Sequence, residues 1–272
     1  MKRLTVLVAT TLVAVLPLRA AEPERWFEDV TKKAGVAIKH TNRQFQNEYS
    51  KIMEGYTALG ASAQVADFDG DGFEDLFLTD SALDGHNRLM RNNGNFTFTD
   101  VTAGSGIGTG NDPQNASADA LWLDYDNDGK PDLLILRFGH NELYHNLGGG
   151  KFKDVTKAAG LDRYLNSITS VAFDYDRDGY VDIFVGAYFQ AVNLFAPGTP
   201  KFFPESFETA NNGGGVIVYR NNGNGTFTDV TEKIGLKTSG WTLDLGHGDA
   251  DNDGFDDLYV ACDFGTDRFF HN

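Results

Sequence analysis

An acidic loop of one pattern repeated four times, a second motif recurring in phase with it, and β-branched and aromatic segments between them predict an all-β fold. That fold is a β-propeller with four recognisable blades of four antiparallel strands. The loops are "DFDGDGFED" (Asp67–Asp75), "DYDNDGKPD" (Asp124–Asp132), "DYDRDGYVD" (Asp174–Asp182) and "DADNDGFDD" (Asp249–Asp257). The second motif is "RNNGNFTFTDVT" from Arg91, "HNLGGGKFKDVT" from His145 and "RNNGNGTFTDVT" from Arg220, and a copy of its tail, "WFEDVT", begins at Trp26. Each tail runs on to a glycine and an apolar residue: Gly35-Val36, Gly106-Ile107, Gly160-Leu161 and Gly235-Leu236.

Each repeat parses into four strands. The first precedes the acidic loop and is rich in small residues ("GASAQVADF", "NASADALWLD", "NSITSVAFD", "LGHGDAD"), as suits the crowded centre of a propeller. The second follows at once ("DLFLTD", "DLLILRF", "DIFVGAY", "DLYVACD"). The third ends in Arg-Asn or His-Asn, and Asn-Gly turns lead to the fourth, as hairpins favour. No amphipathic helical stretch competes with this pattern.

Aspartates at positions one, three and five with glycine at six make the first half of an EF-hand loop. An EF-hand would close with glutamate at position twelve. Here position twelve is Leu78, Ile135, Val185 or Val260, so EF-hands are excluded. The closing ligand is therefore the aspartate at position nine, in a shorter loop that turns straight into a strand. The expected ligands are the side chains of Asp67, Asp69, Asp71 and Asp75; Asp124, Asp126, Asp128 and Asp132; Asp174, Asp176, Asp178 and Asp182; Asp249, Asp251, Asp253 and Asp257. The position-seven carbonyls of Phe73, Lys130, Tyr180 and Phe255 complete the sets. Hard oxygen donors in a flexible cage select Ca²⁺, about four ions in all, over Mg²⁺. With no Cys or His inside the loops, zinc does not fit. The ligand aspartates alone carry a charge equal to the formal net charge of −16.

That charge excludes nucleic acid as a partner, since phosphate binding needs a basic face. Lys2 and Arg3 followed by the apolar run Leu4–Leu18 read as an export signal, residues 1–21, cleaved after Ala20 or Ala21. The mature chain, residues 22–272, is then an exported propeller with no membrane span, periplasmic, extracellular or surface-held. Cys262 is the single cysteine, so no intrachain disulfide staples it. It reads as an inert, part-buried thiol. Asn95, Asn115 and Asn224 match the N-glycosylation pattern and read as turn residues.

The acidic loops, the "LYHNLGGGKFKDVTKAAGL" and "VYRNNGNGTFTDVTEKIGL" units and the opening "WFEDVTKKAGV" resemble FG-GAP or VCBS repeats of integrin α chains. They look most like the exported UnbV/ASPIC, cartilage acidic protein-like group. The resemblance spans Trp26 to Asn272. It implies a calcium-bound propeller of about seven blades in adhesion or interaction roles, often followed by a separate domain. The last repeat stops at "FFHN" (Phe269–Asn272), so the chain is expected to be part of a longer ring. The alternative is a closed four-bladed ring in which Trp26–Val30 supplies the missing outer strand.

The longest interval between loops holds an aperiodic insertion, residues 188–215, rich in Phe, Pro and Gly. Such a segment is either a lid that packs its own aromatics on the propeller or a binding loop. His145 and His271 stand where Arg91 and Arg220 stand in the other repeats and read as repeat residues, not ligands. The expected function is a binding module for a protein or glycan partner. The alternative is a lyase-like enzyme on polysaccharide, with Arg137, His140, Tyr188 and Lys201 gathered in a cleft.

Overall fold

In the computed structural model, residues 26–44, 51, 60–108, 110–196 and 203–272 are described. The expected export signal, residues 1–21, lies outside them. Each acidic loop is a hairpin connection that forces the chain to reverse, and alternating apolar residues on either side give the strands their buried faces. The first blade is β1 (Ala63–Ala66), β2 (Asp75–Leu78), β3 (Arg88–Asn92) and β4 (Phe98–Asp100). The second is β5 (Ala116–Leu123), β6 (Asp132–His140), β7 (Glu142–Gly148) and β8 (Lys151–Asp154). The third is β9 (Tyr164–Phe173), β10 (Asp182–Phe189), β11 (Gly215–Asn221) and β12 (Phe227–Asp229). The fourth is β13 (Trp241–Gly248), β14 (Asp257–Phe264) and β15 (Arg268–Phe270).

Within each blade every strand pairs antiparallel with its sequence neighbour. The first strands lie side by side, β1 by β5, β5 by β9 and β9 by β13, which places them innermost. The ends of β6 and β9 also pair, through Phe138–Asn166, Gly139–Leu165 and His140–Tyr164, and join two blades into one sheet. The whole curls like half a barrel: an incomplete β-propeller, as the repeats predict.

Three details go beyond the strand pattern. The fourth inner strand begins at Trp241, earlier than "LGHGDAD", because Trp241 is fully buried against Tyr188 and Phe189. Two tails close in a single helical turn, α1 (Thr31–Ala34) and α2 (Thr156–Ala159), each ended by a left-handed glycine, Gly35 and Gly160. Trp26–Val30 forms no strand pairing among the described residues, and Trp26 and Phe27 are 83% and 95% exposed.

The tails also explain how blades stack. In three of the four tails the closing glycine rests on the outer strand of the next blade. A Cβ on Gly35 would stand 3.4 Å from the carbonyl oxygen of Phe98, one on Gly160 3.2 Å from that of Phe227, and one on Gly106 only 2.2 Å from that of Phe152. Beneath these contacts the outer-strand phenylalanine plugs the seam. Phe152 packs on Phe68 at 6.0 Å with Ile107 beside it, and Phe227 packs on Tyr125 at 6.0 Å with Leu161 beside it. Between the third and fourth blades the equivalent place is a cavity of 120 Å³ lined by Phe173, Tyr175, Leu236, Leu258 and Phe270.

Removing a seam plug should therefore cost more than removing an exposed aromatic. Phe227→Ala is expected to lower the unfolding free energy by about 3–5 kcal/mol, as buried Phe-to-Ala changes do. Phe207→Ala, at an exposed insertion residue, should stay within about 0.5 kcal/mol, both read from urea denaturation.

Candidate metal centre

Each loop is built from its backbone outward. Gly72, Gly129, Gly179 and Gly254 at position six have φ near +90° (89°, 83°, 91° and 93°), a conformation that needs glycine. Position four is also left-handed, at Asn127, Arg177 and Asn252 as well as Gly70, which the sequence pattern did not reveal. These two turns fold the loop around the position-one carboxylate. Asp67 accepts the N–H groups of Gly70, Asp71 and Gly72 at 2.8–3.1 Å. Asp124, Asp174 and Asp249 each accept the N–H groups of positions five and six. The position-five aspartates accept the N–H of position seven: Phe73, Lys130, Tyr180 and Phe255, at 2.9–3.0 Å.

The structure brings positions one, three and five together in three loops. Asp67, Asp69 and Asp71, then Asp124, Asp126 and Asp128, then Asp174, Asp176 and Asp178 each bring one oxygen apiece within 4.8 Å of one another. In the fourth loop Asp251 and Asp253 converge with His271, and Asp249 is not in the group. One oxygen of the position-three carboxylate, Oδ1 of Asp69, Asp126 and Asp176, is buried with no hydrogen-bond partner. An orphaned carboxylate oxygen among converging carboxylates suits a hard divalent cation, since nothing in the protein satisfies it.

Position nine has another duty. Asp75, Asp132, Asp182 and Asp257 are buried. One oxygen accepts the N–H of position two, at 3.2 Å from Phe68, 3.3 Å from Tyr125, 3.2 Å from Tyr175 and 3.1 Å from Ala250. The other accepts the N–H of the asparagine ending the third strand: Asn92 and Asn146 at 2.6 Å, Asn221 at 2.7 Å, Asn272 at 3.0 Å. Both oxygens are thus occupied by backbone donors, and of the four only Asp132 joins a converging group, with Asp126 and His145. The histidines are the residues that sequence reasoning set aside. They stand on or after the third strand, outside the loop, and lean over it from there. The one signal was their shared place directly before the repeat asparagine.

Of the residues proposed for a catalytic cleft, Arg137 is buried and bound to Glu142 at 2.7 Å, and Tyr188 is buried and donates to Asp263. His140 pairs with Asp162 at 2.9 Å, and Lys201 lies outside the described residues. Cys262 is part-buried, and burial raises its pKa. The insertion packs Leu194 and Ala210 into a second core with Tyr188, Phe189 and Trp241. Asn212 accepts from the Trp241 indole at 2.9 Å.

Burial pushes the Asp182 carboxyl up to about 7 and those of Asp75 and Asp132 up to about 6. A carboxyl with a raised folded pKa favours the fold when protonated. Its contribution is complete below the unfolded value, near 4, and is lost as pH rises through 6 to 7. Asp100 runs the other way. Partial burial raises it, but the Thr102 hydroxyl and N–H and Arg88 together hold it below the usual range, so its contribution disappears only under acid. The metal-stripped protein should accordingly melt at a lower temperature at about pH 7.5 than at about pH 5, measured by circular dichroism in chelator.

The FG-GAP-like repeat family matches residues 42–121, 124–185 and 207–260. No match was found among curated proteins. Among solved structures, the chain is similar to an Agrocybe aegerita lectin described for recognition of non-reducing terminal N-acetylglucosamine (20% identity, TM-score 0.43, 78% of this chain and 52% of that one). It is also similar to the Photorhabdus luminescens Tc holotoxin pore (20%, TM-score 0.37, 73% and 8%) and to the V. cholerae biofilm matrix protein Bap1 (16%, TM-score 0.37, 73% and 23%). The chain spans about half the length of the lectin and less of the other two. With repeats matched over most of its length and four blades built on them, the chain belongs to the FG-GAP-like repeat family.

Proposed function

We propose that the protein is an exported, calcium-stabilised propeller of the UnbV/ASPIC type that serves as an interaction module for a protein or glycan. The observation that carries the calcium reading is the set of converging carboxylates with an orphaned Oδ1 at position three, repeated in three blades. The residues that would hold the ion are positions one, three and five, with Asp132 beside them in the second blade. The ion would supply the positive charge that clustered aspartates lack, and its role is structural. The family is generally non-enzymatic, and Arg137 and Tyr188 are committed to internal partners, which supports binding over lyase chemistry.

Partner binding falls to the opposite end of the blades. The β2–β3 and β4–β5 connections and the insertion leave the strands at the end away from the acidic loops. There Thr41, Arg43, Leu83, Asp84, Pro113 and Phe195 line a cavity of 490 Å³, with the Arg43 guanidinium 4.8 Å over the Phe195 ring. No helix among the described residues is long and apolar enough to cross a membrane.

Calcium should raise the melting temperature of the mature protein and EGTA should reverse it; a melting temperature indifferent to both would reject structural calcium. Deleting Gln190–Thr209 should abolish binding on a glycan array or in pull-down while leaving the calcium-dependent melt in place.

A further inference from the structure

In three of the four blades the basic side chain that precedes the asparagine of the repeat reaches the acidic loop. In the third blade Arg220 Nε lies 2.6 Å from Asp176 Oδ2, and a terminal guanidinium nitrogen lies 2.6 Å from Asp178 Oδ2. In the second, His145 Nδ1 lies 3.3 Å from Asp126 Oδ2 and 3.2 Å from Asp132 Oδ1. In the fourth, His271 Nε2 lies 2.9 Å from Asp251 Oδ2 and 3.7 Å from Asp253 Oδ2. Two different side-chain chemistries on three blades choose the same atom, Oδ2 of position three. In the second and third blades the other oxygen of that carboxylate is the buried one without a partner. The division repeats at Asp178, where Oδ2 takes Arg220 and Oδ1 takes the N–H of Tyr180. In the first blade Arg91 is exposed and makes no ion pair with its loop among the described residues; its charge still acts on Asp69, whose Oδ1 is likewise buried without a partner.

We propose that Arg220, with His145 and His271 at the equivalent places, is a positioning residue for the divalent cation of its blade. It fixes the outer oxygens of the position-three and position-five carboxylates and so presents Asp176 Oδ1 inward. This rests on the calcium reading above. Two effects oppose each other. A guanidinium near a divalent ion repels it, whereas a guanidinium on the outer oxygens relieves carboxylate repulsion and removes their rotational freedom. Arg220 is about one-third exposed, so water screens the repulsion, while the orientation it imposes persists. Orientation therefore dominates.

The test is calcium titration by calorimetry into the metal-stripped mature chain, Arg220→Ala and Arg220→His. Alanine should weaken one binding event roughly 10–100-fold, the range for lost outer partners of metal ligands. Histidine, the residue this chain itself uses there in two other blades, should recover most of the loss, which a purely structural role would not predict. Circular dichroism of the metal-stripped variants checks folding, and Arg220→Gln replaces Arg220→Ala if the latter does not fold. Unchanged or tighter binding by the alanine variant would overturn the proposal and make Arg220 a competing counter-charge. A wild-type chain that binds no calcium would overturn the calcium reading itself, and is recognised because it fails before any substitution.

Discussion

The fold depends on one buried junction, an ionisable aspartate at the start of the second strand held against an asparagine at the end of the third. A carboxylate in apolar surroundings is costly unless its oxygens are satisfied. Asp182 meets that condition with the N–H groups of Tyr175 and Asn221, and so locks the loop and the second strand to the third. The asparagine side chain completes the junction. Asn221 Nδ2 donates to the carbonyl of Val181 at 3.1 Å in its own blade and to that of Tyr125 at 2.7 Å in the preceding blade. Its Oδ1 accepts the N–H of Gly223 at 3.0 Å, which sets the following turn. Asn146 repeats the bridge to Phe68 at 2.8 Å, and Asn272 to Tyr175 at 2.8 Å. Strand pairing, turn and blade stacking thus meet in one set of bonds, and each side chain there has little freedom to change.

A second staple works at the other end of the outer strands. In three of the "DVT" tails the threonine hydroxyl donates to the aspartate two residues back at 2.6 Å and accepts the N–H of the third strand: Leu89, Leu143 or Val218, at 2.8–2.9 Å. The outer strands are three or four residues long in three blades, too short to hold by ladder bonds alone. The staple and the buried phenylalanine compensate. Neighbouring acidic loops also touch one another. Asn127 donates to the carbonyl of Gly179 at 2.8 Å, and the Arg177 guanidinium lies 5.0 Å over the Phe255 ring.

Most of the fold was legible because its signals are local and repeated. The D-x-D-x-D-G-x-x-D loops fixed where the chain reverses, and the apolar runs after them fixed the second strands. What was not legible depended on long-range contact. Nothing in a nonapeptide distinguishes a position-nine carboxylate that faces its neighbours in the loop from one committed to two backbone donors. The difference lies in Asn92, Asn146, Asn221 and Asn272, which are 14 to 39 residues away. The same is true of His145 and His271, which approach the loops only after the hairpins form. Trp241 was missed as a strand residue because its burial depends on Tyr188, Phe189 and Asn212 from the insertion.

The two ends of the blades are therefore under different constraints. At the acidic end, a substitution in the junction disturbs two strands, a turn and the adjacent blade together, so the motif recurs with little variation. At the other end the shared bonds differ more between blades: Asn111 ties Asp80 and Ala82 to Ser117, whereas Asn166 holds the carbonyls of Gln190 and Val192. There the chain tolerates an aperiodic insertion, and β-bulges on the inner strands turn Asp119, Thr169 and Asp244 to follow Ser117, Ser167 and Thr242 out of register. Gln64 reaches Asp119 at 3.3 Å and Thr169 reaches Asp244 at 3.3 Å across neighbouring blades, and burial raises the pKa of Asp119. A scaffold whose bonds repeat at one end and differ between blades at the other can vary its connections without loss of the fold.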